Sequence, residues 1–203
     1  MANTNIKNPI AKVLPKSCKT GNKEVANAKK QIKKRESKIA KKTLDERALK
    51  ISIAAIKYAM LKQNSNRVII FNKKEAVSFE GDTGPYLQYS YARANSITKR
   101  SNNLKTSYSV SDIHDKEVLL AKKIDDFSDT VFRAGKNLNP ALIANYTFEL
   151  SQTFNEFYSA CKVIGSEEEP YRIKLVEAFK ITLKNSLTLL GLEALDQMWY
   201  QSS

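Results

Sequence analysis

Apolar residues recur at helical spacing through most of the chain from Leu49 onward. Within the segment LKISIAAIKYAMLKQ, one apolar face carries Ile53, Ile56, Met60 and Leu61. Residues three or four apart share one side of an α-helix, and an apolar side is normally buried. The pattern therefore predicts an amphipathic helix that packs this face against a core.

The stretch RVIIFN, residues 67–72, interrupts this periodicity with a short run of β-branched and aromatic residues. Such a run predicts either a brief strand or a buried extended link. Helical spacing then returns, divided by Pro, Gly and Ser residues. Four further helices are predicted: from Pro85, capped by Thr83 or Gly84, to about Ser101; from about Ile113 to Ala134, ended by Gly135; from Asn139-Pro140 to the break at GSEEEP; and from about Pro170 to Leu190, closed by Gly191.

The same spacing gives the expected core faces of these helices. The second of them is expected to turn inward Val118, Leu119, Ile124, Phe127 and Val131. The third carries a longer apolar set: Leu142, Ile143, Tyr146, Leu150, Phe154, Phe157 and Tyr158. Long periodic helices with short connections predict an all-α fold, a helical bundle without internal repeats.

The N-terminal part of the chain has weaker patterning. Residues 1–23 contain no acid, two prolines and no strong periodicity, so we expect them to be loosely ordered. Residues 24–44 are typical of a basic helix with a thin apolar seam, in which Val25, Ile32 and Ile39 recur every seven residues. Three positions predict a helix that is only partly formed.

Charge is concentrated at the same end. The formal net charge is +13, and residues 1–50 hold 15 Lys and Arg against 4 Asp and Glu, a balance of +11. This block fits either a surface that binds a polyanion such as nucleic acid or a solvated Lys-rich tail. We therefore divide the chain into a Lys-rich N-terminal extension at 1–47, loose and part helical, and a helical bundle at 48–203.

Residue usage argues against metal and membrane sites. Cys18 and Cys161 lie far apart, and His114 as the one histidine leaves almost no ligand set for zinc. No apolar run approaches the ~20 residues of a membrane span, so no membrane partner is expected. The basic start lacks a continuous apolar h-region and contains no Arg, which argues against a secretory signal and an organelle transit peptide. We expect a cytoplasmic location, with a mitochondrial one as the alternative.

The segment GPYLQYSYAR holds the best candidate binding residues. On a helix, Tyr86, Tyr89 or Ser90, and Arg93 lie on one face. Phenol rings stack on unpaired bases and an Arg charge suits a phosphate, so this face is typical of a single-stranded RNA site. The same spacing also fits tyrosines that are buried in the bundle with their hydroxyls at its rim. The residues alone leave both interpretations open.

Four separated blocks resemble the C-terminal part of arginyl-tRNA synthetases. They are AIKYAMLKQ, VSFEGDTGPYLQYSYARANSI, NPALIANYTFELSQTFNEFYSACKVIG and SLTLLGLEALDQM, in the family's order over about residues 48–198. The resemblance implies a bundle similar to the anticodon-binding domain of class Ia aminoacyl-tRNA synthetases, with arginine tRNA as its partner. It also implies that four side chains approach the anticodon loop: Tyr86, Tyr89, Tyr158 and Met198. Arg93 completes the predicted tRNA-binding set, because it shares a helix face with the two tyrosines of its own segment.

The catalytic signatures of these synthetases are not intact in the chain. The resemblance implies that aminoacylation needs ATP and a nucleotide-binding part with an H-I-G-H-like signature, which one histidine does not supply. PKSCKTGN, residues 15–22, faintly resembles the family's second signature, with Lys19 as a phosphate contact, but a chance match in a Lys-rich tail is the preferred interpretation. We therefore expect no catalytic residue, no metal, no cofactor and no aminoacylation by this chain alone, although full-length family members use ATP.

Three explanations stay open for such a chain. It is a fragment of a full synthetase, a free-standing tRNA-binding module, or a structural module of a larger assembly that keeps only the fold. A separate catalytic chain is a second candidate partner beside arginine tRNA. Binding of tRNA is the preferred function.

Overall fold

The computed structural model describes residues 19–36, 39–63, 72–101 and 113–198. All regular secondary structure in these ranges is helical, which confirms the predicted all-α fold. None of these helices is long and apolar enough to cross a membrane. In chain order they are α1 (Lys19–Arg35), α2 (Lys41–Leu61), α3 (Lys73–Ala76), α4 (Gly84–Arg100), α5 (Asp115–Asp125), α6 (Phe127–Lys136), α7 (Pro140–Ala160) and α8 (Glu169–Leu189). A strand or an extended link was predicted for RVIIFN, residues 67–72. Residues 67–71 of this segment lie outside the described residues.

A sharp corner opens α4 at the predicted place. Thr83 caps the helix, since its hydroxyl oxygen accepts from the Tyr86 N–H at 3.2 Å, and Pro85 occupies the first turn. Gly84 lets α4 press against α2, because a Cβ at this position would lie only 2.4 Å from the carbonyl oxygen of Ala54. The corner thus fixes where α4 begins and which side of it faces α2.

The main core lies where α4, α7 and α8 meet. Phe154 of α7 stacks on Phe179 of α8, with ring centroids 3.9 Å apart and planes at 6°. Leu87 of α4 and Tyr58 of α2 are fully buried in the same cluster. Burial of side chains of this size contributes about 1.5–3 kcal/mol each, so this cluster is a main source of stability. The helices predicted after Asn139 and after GSEEEP are confirmed as α7 and α8.

The segment that follows α8, residues 190–198, is held along α4 by two amide side chains. Gln88 Nε2 donates to the Glu193 carbonyl oxygen at 2.8 Å, and Asn95 Nδ2 donates to the Asp196 carbonyl oxygen at 3.0 Å. Both amides are buried on α4. Since buried carbonyl groups need such partners, the two bonds fix the path of this segment.

α1 and α2 form a helical hairpin with a smaller core of its own, which we call the hairpin cluster. Ala28 and Ile32 of α1 pack there with Leu44 of α2. The single helix predicted for residues 24–44 is wrong, because the chain breaks between α1 and α2 and folds back. Ile39 lies in the break and still packs against the cluster, so the seam was identified correctly while the helix was not.

The N-terminal boundaries also differ from expectation. Residues 19–23 were expected to be loose but belong to α1, whose packing on α2 adds stability that the local sequence does not supply. Residues 1–18 of the same predicted segment lie outside the described residues. The predicted division at residue 47 falls within α2 and stays a prediction.

α2 buries a different face from the predicted one, of which only Leu61 packs against the main core. Ile53, Ile56 and Met60 lie on the side of the helix away from the core, and Met60 is 55% exposed. The helix instead buries an alanine-rich face that includes Ala54. The close approach of α4 at Gly84 explains the choice, because larger side chains on this face of α2 would hold the two backbones apart.

The helix predicted for residues 113–134 is divided into α5 and α6. Val118 and Leu119, which were expected to face inward, are 37% and 47% exposed. At 3.6 residues per turn, neither residue lies on the same side of the helix as Ile124, so the three cannot form one buried face. Leu120 points inward instead and is fully buried in the main core.

Candidate nucleic-acid interface

Helices α4 and α7 pack against each other and bring four of the five predicted site residues together. α4 carries Tyr86, Tyr89 and Arg93 on successive turns, and α7 adds Tyr158 in its last turn. Asn155, one turn before Tyr158, connects the two helices. We call these five residues the α4–α7 face.

Arg93 is held by three neighbours on this face. Its Nη1 donates to Asn155 Oδ1 at 2.6 Å, and its Nη2 donates to the Tyr89 hydroxyl. The guanidinium lies 4.5 Å from the ring centroid of Tyr89 and 5.2 Å from that of Tyr158. Such cation–π contacts contribute about 0.5–2 kcal/mol each. The positive charge of Arg93 is therefore fixed in position by the protein itself.

Asn155 connects α7 to α4 through its amide nitrogen. The two N–H groups of Nδ2 are shared among three acceptors, the Tyr86 hydroxyl at 2.9 Å, Ser90 Oγ at 3.0 Å and the Ser151 carbonyl at 2.9 Å. Burial raises the pKa of the Tyr86 hydroxyl, so this group stays protonated at neutral pH. The amide therefore orients Tyr86 with one end and Arg93 with the other.

An open polar groove of about 600 Å³ lies beside Tyr86. Lys116 and Glu156 form an ion pair of 2.7 Å in its wall. The lining contains a tyrosine, two amides and a hydroxyl, which are groups that proteins use to bind unstacked RNA bases, while the Lys116 charge is offset by Glu156. Its lining consists of Tyr86, Lys116, Gln152, Asn155, Glu156, Ser159 and Ala160.

Solvent access differs among the tyrosines. Tyr158, in the last turn of α7, is 41% exposed, although helical spacing placed it in the apolar set of its helix. Tyr86 is half-buried, with its ring 5.8 Å from Phe148 and against the main core. Tyr89 is half-buried against the hairpin cluster. Each of the two α4 tyrosines thus packs one side in the protein. Tyr158 is the most exposed of the three, and its ring stacks on Phe154 at a centroid distance of 6.4 Å.

Met198 does not belong to the α4–α7 face. Its side chain is 2% exposed and packs in the hairpin cluster with Ile32 and Leu195. Its carbonyl oxygen accepts from Arg47 Nη1 of α2 at 3.3 Å. Met198 therefore packs the hairpin onto the bundle, and the tRNA contact that the resemblance implies for it stays a prediction.

Sequence reasoning missed Asn155, although a signal was present. Asn155 lies three residues before Tyr158 and four after Ser151, so it belongs to one side of a helix with both. Asn has low intrinsic helix propensity, and in the middle of a long helix it calls for a tertiary explanation. The structure supplies one in the bonds to α4.

Residues 87–198, more than half of the chain, match the family described as DALR anticodon binding domain. The chain belongs to this family. The recognition drawn from the four sequence blocks is thereby confirmed for the helical bundle. The DALR match begins just after Tyr86 and contains Arg93, Asn155 and Tyr158, whereas α1 and α2 precede it.

The proteins of similar sequence include arginine–tRNA ligases. The arginine–tRNA ligase of Clostridium botulinum strain 657 is 38% identical over 161 residues, which cover 77% of this chain and 29% of the relative. That of Clostridium acetobutylicum is 37% identical over 158 residues, 76% of this chain and 28% of the relative. The DALR chain thus spans about 29% of the length of the curated relatives it matches.

Solved structures agree with the DALR assignment. Arginyl-tRNA synthetase of Thermus thermophilus superposes with a TM-score of 0.81 at 29% identity, over 88% of this chain and 32% of that one. Arginyl-tRNA synthetase of Plasmodium falciparum superposes with a TM-score of 0.75 at 28% identity, again over 88% of this chain and 32% of that one. Because these superpositions cover more than the DALR match, part of the chain before residue 87 shares the arrangement as well.

Proposed function

We propose that this chain binds the anticodon arm of arginine tRNA through its α4–α7 face. The observation that carries the proposal is the charge of Arg93, fixed beside the rings of Tyr89 and Tyr158 in a DALR anticodon-binding domain. The similarity to arginine–tRNA ligases supports the choice of arginine tRNA among tRNAs.

The chemistry of the face suits an anticodon loop. An exposed ring such as Tyr158 stacks on an unpaired base, for about 1–3 kcal/mol per base. The guanidinium of Arg93 provides a positive charge for a phosphate next to that base. Gln152 and Asn155 in the groove carry amides, which can pair with the Watson–Crick edge of a base.

Catalysis by this chain alone is not part of the proposal. The relatives named as ligases are much longer, and the chain spans about 29% of their length. Aminoacylation would need a nucleotide-binding part, within a longer protein or as a separate catalytic chain. We expect the purified chain to show no arginine-dependent pyrophosphate exchange, and detection of such exchange would contradict this expectation.

Titration with three RNAs tests the proposal. The purified chain is titrated with arginine tRNA, with the same tRNA carrying a replaced anticodon, and with an unrelated tRNA. We expect binding at least about tenfold weaker for the last two, since the loss of one stacked or paired base corresponds to 1–3 kcal/mol. Equal dissociation constants for all three RNAs would contradict anticodon recognition.

An Arg93→Lys variant locates the recognition. Lysine keeps the charge but has no planar fork for the bonds to Asn155 and Tyr89. We expect weaker discrimination between the arginine anticodon and the replaced one. Lys99→Arg, in the last turn of the same helix, is the control and should leave discrimination unchanged.

A structural role in a larger assembly is the second candidate function. The observation that favours it is an apolar stripe on the outer side of α2, formed by Leu49, Ile53, Ile56 and Met60. A helix that is apolar on two sides is usually covered on both. If the chain binds no tRNA and Ile53→Glu abolishes its association with other chains of its assembly, this role replaces tRNA binding.

A further inference from the structure

α1 has an unusual distribution of charge. Its residues include six lysines and Arg35, and Glu24 is its sole acid. Glu24 is fully buried, so the charged side chains that α1 exposes to solvent are all basic. Lys29, at the edge of the buried side, pairs with Asp45 of α2 at 2.7 Å.

Four other lysines of α1 line its outer side, and we call them the lysine stripe: Lys23, Lys30, Lys33 and Lys34. At 3.6 residues per turn they fall within about 100° of the helix circumference, opposite Ala28. All four are exposed, and none forms an ion pair with a described residue. Their mutual repulsion is unfavourable in the isolated chain and would be relieved by an anionic partner.

The dimensions of the stripe suit a nucleic-acid backbone. From Lys23 to Lys34 it extends about 16 Å along the helix, and a duplex strand presents a phosphate about every 3.4 Å of its axis. Several phosphates of one strand can therefore lie beside it. A membrane surface fits less well, because interfacial helices also insert an apolar side. The apolar side of α1 is already used, since Ala28 and Ile32 are buried in the hairpin cluster.

The hairpin borders the proposed anticodon site. Tyr89 belongs to the α4–α7 face through its bond with Arg93 and also packs against the hairpin cluster. We infer that the lysine stripe is a second RNA-binding surface, which contacts tRNA phosphates outside the anticodon loop. This inference rests on the proposed function, because one tRNA must contact both surfaces.

Charge removal tests the stripe against a matched control. One variant changes the four stripe lysines to Gln, and a control changes four exposed lysines elsewhere: Lys99, Lys136, Lys162 and Lys184. Dissociation constants for arginine tRNA are measured from about 50 to 200 mM salt. We expect the stripe variant to bind at least about tenfold more weakly at the lowest salt, with a log–log salt slope shallower by about 3, since each phosphate contact contributes 0.7–0.9.

The other measurements separate the possible results. A stripe variant with Arg in place of Lys should keep the parental slope, and the ratio of affinities for arginine and unrelated tRNA should stay the same in all variants. An unchanged slope in the Gln variant, or an equal loss in the control variant, would overturn the inference while leaving the anticodon proposal intact. Absence of tRNA binding by the parent would overturn both.

Backbone protection gives an independent readout. Hydroxyl-radical footprinting of bound tRNA should show protected sugars outside the anticodon loop that disappear in the Gln variant, while protection in the loop persists. If the Gln variant lost protection only in the anticodon loop, the assignment of the lysine stripe to phosphates outside that loop would be contradicted. If the stripe is needed for binding to vesicles of anionic phospholipid or to an acidic protein but not to tRNA, the inference is wrong.

Discussion

The α4–α7 face and the lysine stripe hold positive charge in opposite ways. Arg93 is a single charge that bonds to Asn155 and Tyr89 and lies beside two rings, so it presents one geometry. The stripe presents four charges on flexible side chains, and none of them forms an ion pair with a described residue. A fixed charge distinguishes between ligands, whereas mobile charges attract any polyanion. With the proposed functions, recognition and attraction belong to different parts of one small protein.

The two regions also differ in how firmly they are anchored. The α4–α7 face lies on the main core, with stacked Phe154 and Phe179 beneath it. α1 is attached through the smaller hairpin cluster and buries Glu24 without a hydrogen-bond partner among the described residues. Regions with fewer buried contacts open at lower free energy than the global core. We therefore expect α1 to exchange its amide hydrogens faster than α4, α7 and α8.

The largest effect is expected where the hairpin meets the bundle, at Gly84. A Cβ there would lie 2.4 Å from the Ala54 carbonyl oxygen, and backbone cannot move aside as a flexible side chain does. We expect Gly84→Ala to lower the free energy of unfolding by about 3 kcal/mol, at the upper end of overpacking effects. Gly135→Ala is the control, because a Cβ at Gly135 meets nothing within 4 Å and alanine favours a helix. Urea denaturation measures both, and equal stability of the two variants would show that α4 can move away from α2.

The next largest effect is expected for Tyr158→Ala, which separates a role in tRNA binding from a role in packing. Because 41% of this residue is exposed, Tyr158→Ala should weaken binding of arginine tRNA by about 1–3 kcal/mol and change the unfolding free energy much less. Phe132→Ala removes an exposed ring on α6 and is the matched control, which should bind tRNA normally. Loss of binding in both variants, or in neither, would argue that the α4–α7 face does not hold a base.

Local chemistry explains which parts of the fold could be predicted. The starts of α4 and α7 carry their own signals, a Thr cap or an Asn cap followed by Pro85 or Pro140, and both were located correctly. Local signals could not predict the buried face of α2, because this face depends on the close approach of α4 at Gly84. The approach favours small residues such as Ala54 over Ile53.

The candidate site shows the same limit. Helical spacing alone brought Tyr86, Tyr89 and Arg93 together, and the resemblance added Tyr158 from a distant helix. Burial of Met198 depends on the hairpin folding back onto the bundle, which no local pattern indicates. Such properties follow from contacts between distant segments, so the sequence alone leaves them open.

A smaller effect should follow from Glu24, within the weaker region. Its two carboxylate oxygens are buried without a hydrogen-bond partner among the described residues, and an unsatisfied buried polar group costs about 1–3 kcal/mol. We expect Glu24→Leu to stabilise the packing of α1 by about 1–2 kcal/mol, seen as slower hydrogen exchange in α1. Glu46→Leu, at an exposed position of α2, is the control and should change little. Faster exchange in Glu24→Leu would mean that the carboxylate has a partner outside the described residues.

The smallest effect is expected for the Tyr86 hydroxyl, whose removal tests whether this group packs the bundle or contacts the RNA. Tyr86→Phe keeps the ring against Phe148 and removes one acceptor of Asn155, whose amide nitrogen still donates to Ser90 and Ser151. We therefore expect a loss of about 0.5–1 kcal/mol in unfolding free energy and less than 1 kcal/mol in tRNA binding. Tyr86→Ala should instead lose about 2–3 kcal/mol of stability, because the ring is only partly core. If the Phe variant melts like the parent yet binds tRNA tenfold more weakly, the hydroxyl itself contacts the RNA; if the folded Ala variant binds normally, Tyr86 only packs the bundle and recognition rests on Tyr158 and Arg93.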